Sequence, residues 1–172
     1  PSYDPMVRFT ALFGLALVVG YVGGCFGVRQ LALRRTLEEA NGIQGKQRIE
    51  ILPVPMLPFV WHGVVDAKAA YYVFEVRGAK STLVRVLTKA VETPWVQKVR
   101  KDPVAVPFFK ATRFPVIEDT VDEFGHHVAV HDLGLELATG RRYFVLRADL
   151  EPLNDEIVQI RVHLSDPAEP AK

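Results

Sequence analysis

Residues 9–28 read FTALFGLALVVGYVGGCFGV, a run with no charged side chain and about as long as a helix needs to cross the hydrocarbon core of a bilayer. The rest of the chain is organised around it. A cleaved signal peptide would have a shorter apolar core closed by a small-residue cleavage site. Here the run continues directly into Arg29, Gln30 and the basic, helix-prone segment LALRRTLEEA. The core helix of a soluble domain would carry a polar stripe, and only Thr10 and Tyr21 interrupt the apolar surface. The stretch therefore reads as a retained transmembrane helix in contact with the lipid bilayer.

Its flanks predict an orientation. Arg8 alone precedes it, whereas Arg29, Arg34, Arg35, Lys46 and Arg48 follow, and an excess of Lys and Arg marks the cytoplasmic side. The expectation is a single-pass protein of a bacterial inner, or intracytoplasmic, membrane with its carboxyl-terminal part in the cytoplasm. Within the run, Ala16, Gly20 and Gly24 lie four apart, and Gly23 and Gly27 repeat that spacing one position round. Such a face is bare backbone that a second helix can approach closely, which implies other transmembrane subunits as partners. Glycine is also simply common in membrane helices, so the pattern alone has that plainer explanation.

The totals narrow the rest. A length of 172 residues allows the span and one compact domain with one core. A net charge of +1, from 21 basic and 20 acidic residues, gives no field that would favour nucleic acid. The single cysteine, Cys25, lies within the apolar run, so disulfides and cysteine-based clusters within the chain are excluded. Pro1 is not an initiator methionine, from which further residues are expected before it.

In chain order, residues 1–8 form a polar extracytoplasmic lead and residues 9–28 the span. Residues 29–47 form a juxtamembrane helix, read as a rigid stalk ending at Asn41 and Gly42, and a linker, GIQGKQ. A cytoplasmic β-rich domain occupies 48–164, followed by a loose tail at 165–172. Within the domain, 48–52 reads as a strand, and Pro53, Pro55 and Pro58 then forbid helix or central strand. Runs rich in Val, Tyr, Phe and Trp predict strands at 59–66 and 70–77, joined by a loop of several residues, with Gly63 marking a bulge or a close backbone approach. Residues 81–101 mix leucine, valine and charge without alternation. Pro94 opens a short helix there, and a second runs through 104–112. Trp61 and Trp95 are candidates for an interface: Trp95, beside Lys98, Arg100 and Lys101, suits a membrane surface, although core packing explains it as well. The runs RFPVIEDTV, HHVAVHDLGL, RRYFVLRADL and EIVQIRVHL predict an antiparallel meander with turns at 123–125, 138–140 and 152–155. The fold class is a single transmembrane helix plus a mainly-β domain, an antiparallel sandwich or partly open barrel with one or two short helices.

Residues 51–76, ILPVPMLPFVWHGVVDAKAAYYVFEV, and 108–150, FFKATRFPVIEDTVDEFGHHVAVHDLGLELATGRRYFVLRADL, resemble the carboxyl-terminal region of the YdjM-like membrane-bound metal-dependent hydrolase family. Pro53, Pro55, Pro58, Phe59 and Trp61 match that family's P-x-P-x-x-P-F-x-W opening, Arg113 to Val116 its R-F-P-V strand, and Asp132 and Leu133 its x-D-L strand. The resemblance implies several amino-terminal spans followed by a β-rich domain. The family's metal-holding histidines and aspartates belong to its multi-span part. The apolar run here contains neither histidine nor acid, so no ligand carries over and no cofactor is expected.

An independent site is sparsely supplied. His127 and His131 lie four apart on a predicted strand and share a face, with Asp132 on the other, which could begin a zinc or copper site; His62, His126 or His163 would have to complete it. Strand histidines without metal are commoner. Asp119, Asp122 and Glu123 form an acidic turn that lacks the ligand spacing of a calcium loop. Ser81 and Ser165 lack a glycine-flanked elbow, no glycine-rich phosphate loop is present, and no catalytic residue is assigned. Two readings remain. One is a non-catalytic, single-span accessory subunit of a larger bacterial membrane complex, its β-domain making protein–protein contacts. The other is the carboxyl-terminal segment of a membrane-bound metal-dependent hydrolase whose catalytic residues lie in spans outside this sequence.

Overall fold

The structure, a computed structural model, describes residues 5–123, 125–142, 144–150 and 157–163. The first four lead residues, the turn expected at 152–155 and the tail at 165–172 lie outside them. Helix α1 (Pro5–Glu39) has 35 residues, about 52 Å at 1.5 Å per residue, and closes in a 3-10 turn at Ala40–Gly42, where the sequence places its stop. A four-stranded sheet follows, of β1 (Lys46–Val54), β2 (Leu57–Ala67), β3 (Ala70–Arg77) and β4 (Lys80–Thr88). Helices α2 (Pro94–Lys101) and α3 (Val106–Ala111) lead to a second sheet of β5 (Pro115–Asp122), β6 (Gly125–Asp132), β7 (Val145–Leu150) and β8 (Ile157–His163). Helix α4 (Leu133–Thr139) separates β6 from β7. Each sheet is an antiparallel meander with its strands in chain order. The expected class, one long apolar helix and a mainly-β domain, is what forms, and as two separate sheets it is sandwich-like.

The first sheet has two distinct faces because β2 and β3 are buried on both. Trp61, Gly63 and Val65 of β2 and Phe74 and Val76 of β3 face α1, whereas Val64, Tyr71 and Val73 face Phe114 and Leu133. A stripe of Val28, Ala32 and Thr36 on α1 and Ala40 in the 3-10 turn that closes it, four apart, lies on the first of these faces. The helix is thus docked directly on the sheet rather than standing clear of it as a stalk. Gly63 makes the docking possible: a Cβ there would lie 2.2 Å from the Thr36 hydroxyl and 2.9 Å from its Cβ. The close approach expected at Gly63 is present. Helices α2 and α3 cover one face of the second sheet, where Val96, Val99 and Ala105 pack on Val128, Val130, Leu146 and Ala148. Among the described residues the buried apolar side chains form four clusters.

Three local expectations need correction. Residues 80–88 form a strand, because Arg85 points inward to a buried carboxylate while Val84 and Val86 point out, which hides the alternation. The strand read through 126–135 stops at Asp132, whose Oδ1 accepts from the N–H groups of Gly134 (2.7 Å) and Leu135 (3.4 Å) and so caps α4, a third short helix. The β2–β3 connection is only Lys68 and Ala69. The prolines obey the constraint read from sequence: Pro53 lies on edge strand β1, and Pro58 lies where β1 offers no partner, since the register jumps from Pro53↔Trp61 to Val54↔Leu57.

Candidate functional site

Two features stand apart from ordinary packing, the free half of α1 and a buried polar joint between the sheets. Every large apolar side chain from Met6 to Phe26 is exposed, and the most apolar window of the helix has no buried residue. This is the one helix among the described residues long and apolar enough to cross a membrane. Gly20, Gly23, Gly24 and Gly27 have only open space where a side chain would stand, and Ala16 is exposed with them. At 100° per residue this small-residue face lies about 150° round the helix from the stripe docked on the sheet.

The joint is built from three elements. Arg85 of β4 donates from Nη1 to Glu136 Oε1 of α4 at 2.7 Å, and His131 Nε2 of β6 lies 3.0 Å from Glu136 Oε2. The second contact is close enough for charge attraction but off the line of a good hydrogen bond. His131 is 1 % exposed and Glu136 6 %. Burial works to raise the Glu136 carboxyl, but His131 and Arg85 outweigh it and hold the group down at about 2. The arrangement fixes the two sheets to each other, with both carboxylate oxygens facing protein cations or the imidazole.

His127 and His131 do share a face of β6, yet they do not converge on one ligand position. His127 lies at the rim with Nδ1 2.7 Å from Asp149 Oδ1 and Nε2 3.0 Å from Asp122 Oδ1, so a different strand occupies each ring nitrogen. Hydrogen bonding to Asp149 first, and then to Asp122, raises its imidazole above the ordinary value. The other histidines lie elsewhere: His62 across from Glu75 in the first sheet, His126 under the Trp95 ring at a centroid distance of 4.3 Å, and His163 at the end of β8. Among the described residues no three His, Cys, Asp or Glu side chains form a metal-holding group. Of the residues read as an acidic turn, Asp119 and Asp122 lie on β5 instead, and Asp119 Oδ2 accepts from Thr93 Oγ1 at 2.9 Å, tying the N-terminus of α2 to that strand.

The two tryptophans rest against protein. Trp61 is buried between α1 and the first sheet, and Trp95 is half-buried on His126. A cleft of about 420 Å³ opens between the sheets, where Asp66, Lys89 and Tyr71 meet Glu92, Arg100 and Pro115. Of its charges, Lys89 pairs with Asp66 and Arg100 with Glu92, and the Tyr71 hydroxyl donates to the Pro115 carbonyl at 3.2 Å. No nucleophile–base pair faces it. The sequence reading missed the Arg85–Glu136–His131 joint because its members are 51 and five positions apart and belong to elements not recognised as neighbours.

Comparison with protein-family models, with curated proteins and with solved structures gives no match to this chain. Residues 113–114, 132–133 and Leu52 meet in space. The Arg113 N–H donates to Asp132 Oδ2 at 2.6 Å, the Leu133 N–H donates to the Phe114 carbonyl at 3.0 Å, and Leu52 packs beside Phe114 and Leu133. Their roles here are capping and packing.

Proposed function

We propose that this chain is a non-catalytic, single-span accessory subunit of a larger membrane complex in a bacterial inner membrane, with its β-domain on the cytoplasmic side making protein–protein contacts. The observation that carries the reading is the free half of α1, uncharged from Phe9 onward and with every large apolar side chain up to Phe26 exposed. At about 1.5–3 kcal/mol for each large side chain, moving that surface into hydrocarbon gains roughly 20 kcal/mol, more than the whole stability of an ordinary domain. The basic residues after the apolar run favour the stated orientation. The small-residue face supports a helical partner, because it points away from the docked sheet and a second helix reaches it without meeting the β-domain. Edge strand β4 supports contacts outside the bilayer, since Leu83, Val84 and Val86 stand about half exposed along it.

Purification of the full chain in a mild detergent tests this reading. Other membrane subunits should accompany it, and Gly20→Leu with Gly24→Leu should release them while leaving the β-domain folded. A monodisperse, lone monomer from native membranes contradicts it. The second reading, the carboxyl-terminal segment of a metal-dependent membrane hydrolase, rests on the sequence resemblance of residues 51–76 and 108–150. Encoded length and intact mass separate the two, because further spans upstream of residue 1 are required by the second and not by the first.

A further inference from the structure

The hairpin joining β1 to β2 ends in a tip that nothing in the fold requires to be apolar. Met56 is 97 % exposed, Phe59 70 %, and Leu57 is exposed between them. Single exposed apolar residues are ordinary, but three within four positions at a projecting turn are not. Met56 also has a φ of 64°, the left-handed conformation that glycine or asparagine fills at little cost after the proline of a type II turn. Methionine is thus held in an unfavourable backbone state with its side chain fully displayed. Pro53, Pro55 and Pro58 deprive the same tip of backbone N–H donors, which lowers the cost of entering a less polar layer.

The direction of the tip follows from the docking of α1. Ala40 packs with Val65, Thr36 meets Gly63, and Ala32 packs with Trp61, so helix and strand run side by side and both lead back toward the free half of the helix. The register limits how far the tip extends: Gly63 faces Ile51 and Leu57 faces Val54, so the sheet advances only about 10 Å between them, which brings the tip level with the helix turn around Gly27 to Arg29. The tip therefore stands beside the carboxyl-terminal end of the apolar run. Basic groups accompany it at this end of the sheet: Arg29 is exposed on α1, and Arg77, paired with Glu75, and Lys80 flank the β3–β4 turn.

We propose that the β1–β2 tip, through Met56, Leu57 and Phe59, inserts into the bilayer surface beside α1, with Arg29, Arg77 and Lys80 against anionic headgroups, as a second membrane contact that fixes the tilt of the β-domain. The inference rests on the reading of α1 as a membrane span. An apolar surface entering the boundary between headgroups and acyl chains, ringed by Lys and Arg, is the chemistry of interfacial binding.

The test uses the full chain with Cys25→Ser, reconstituted in vesicles of phosphatidylethanolamine and phosphatidylglycerol. Single cysteines at Met56→Cys, Lys68→Cys and Val18→Cys carry an environment-sensitive fluorophore. Lys68 marks the far end of the sheet and Val18 the apolar run. The Met56 probe should be quenched by lipids bearing a nitroxide near the headgroup and be about fivefold less sensitive to aqueous iodide than the Lys68 probe. If the Met56 probe matches Lys68 while the Val18 probe is quenched from the lipid, the insertion of the tip is overturned and the span stands. If the Val18 probe is itself open to iodide, the span and the tip contact are both overturned.

Discussion

Glu136 is the residue on which the joint between the sheets depends. Its carboxyl lies at about 2 in the folded chain against an ordinary 4.5, so the unfolded chain binds more protons between those values. The stability it contributes is complete above about pH 4.5 and is lost as pH falls toward 2. Denaturant midpoints measured across that range should fall in the native chain and flatten in Glu136→Gln. At neutral pH that substitution should cost about 2–3 kcal/mol, less than a fully buried pair because Arg85 is partly exposed. His127 works with the opposite sign. Its raised value means that its contribution is complete below the ordinary imidazole range and fades as pH rises through the folded value. Titration of the His127 ring by NMR should therefore show an elevated midpoint, and Asp149→Asn should lower it. Gly63 is the third decisive position. Gly63→Ala should destabilise by about 1–3 kcal/mol in chemical denaturation, because the new methyl group meets Thr36, and Thr36→Ala should recover only part, the Cβ at 2.9 Å remaining.

At the scale of elements, legibility followed how far each one's periodicity was set by a single environment. α1 and its stop at Asn41–Gly42, the strand Ala70–Arg77 and the helix opened by Pro94 were readable because local chemistry and burial agree in them. β4 was not, since its inward Arg85 answers a partner 51 positions away and its outward valines face no core. α4 was misread because HHVAVHDLGL is apolar enough to continue as strand, and only the Asp132 side chain, turning back to cap Gly134 and to accept from Arg113, ends it. Asp132→Ala should cost about 1–2 kcal/mol in chemical denaturation and loosen α4 before either sheet, which amide hydrogen exchange would register. The two histidines were rightly placed on one face of β6, but sequence spacing could not reveal that Asp122, Asp149 and Glu136 engage them separately.

Over the whole molecule, one helix serves two environments. Its carboxyl-terminal third is part of the β-domain, where Ala32, Thr36 and Ala40 are buried, and among the described residues none packs around its most apolar window. A rigid continuation of this kind transmits the orientation of the helix to the first sheet, on which it docks. The account turns on the surroundings of residues 9–28, and alkaline carbonate extraction of membranes from cells making the full chain measures them most directly. The chain should stay in the pellet and leave it only with detergent; recovery of a folded chain in the carbonate supernatant would contradict the account.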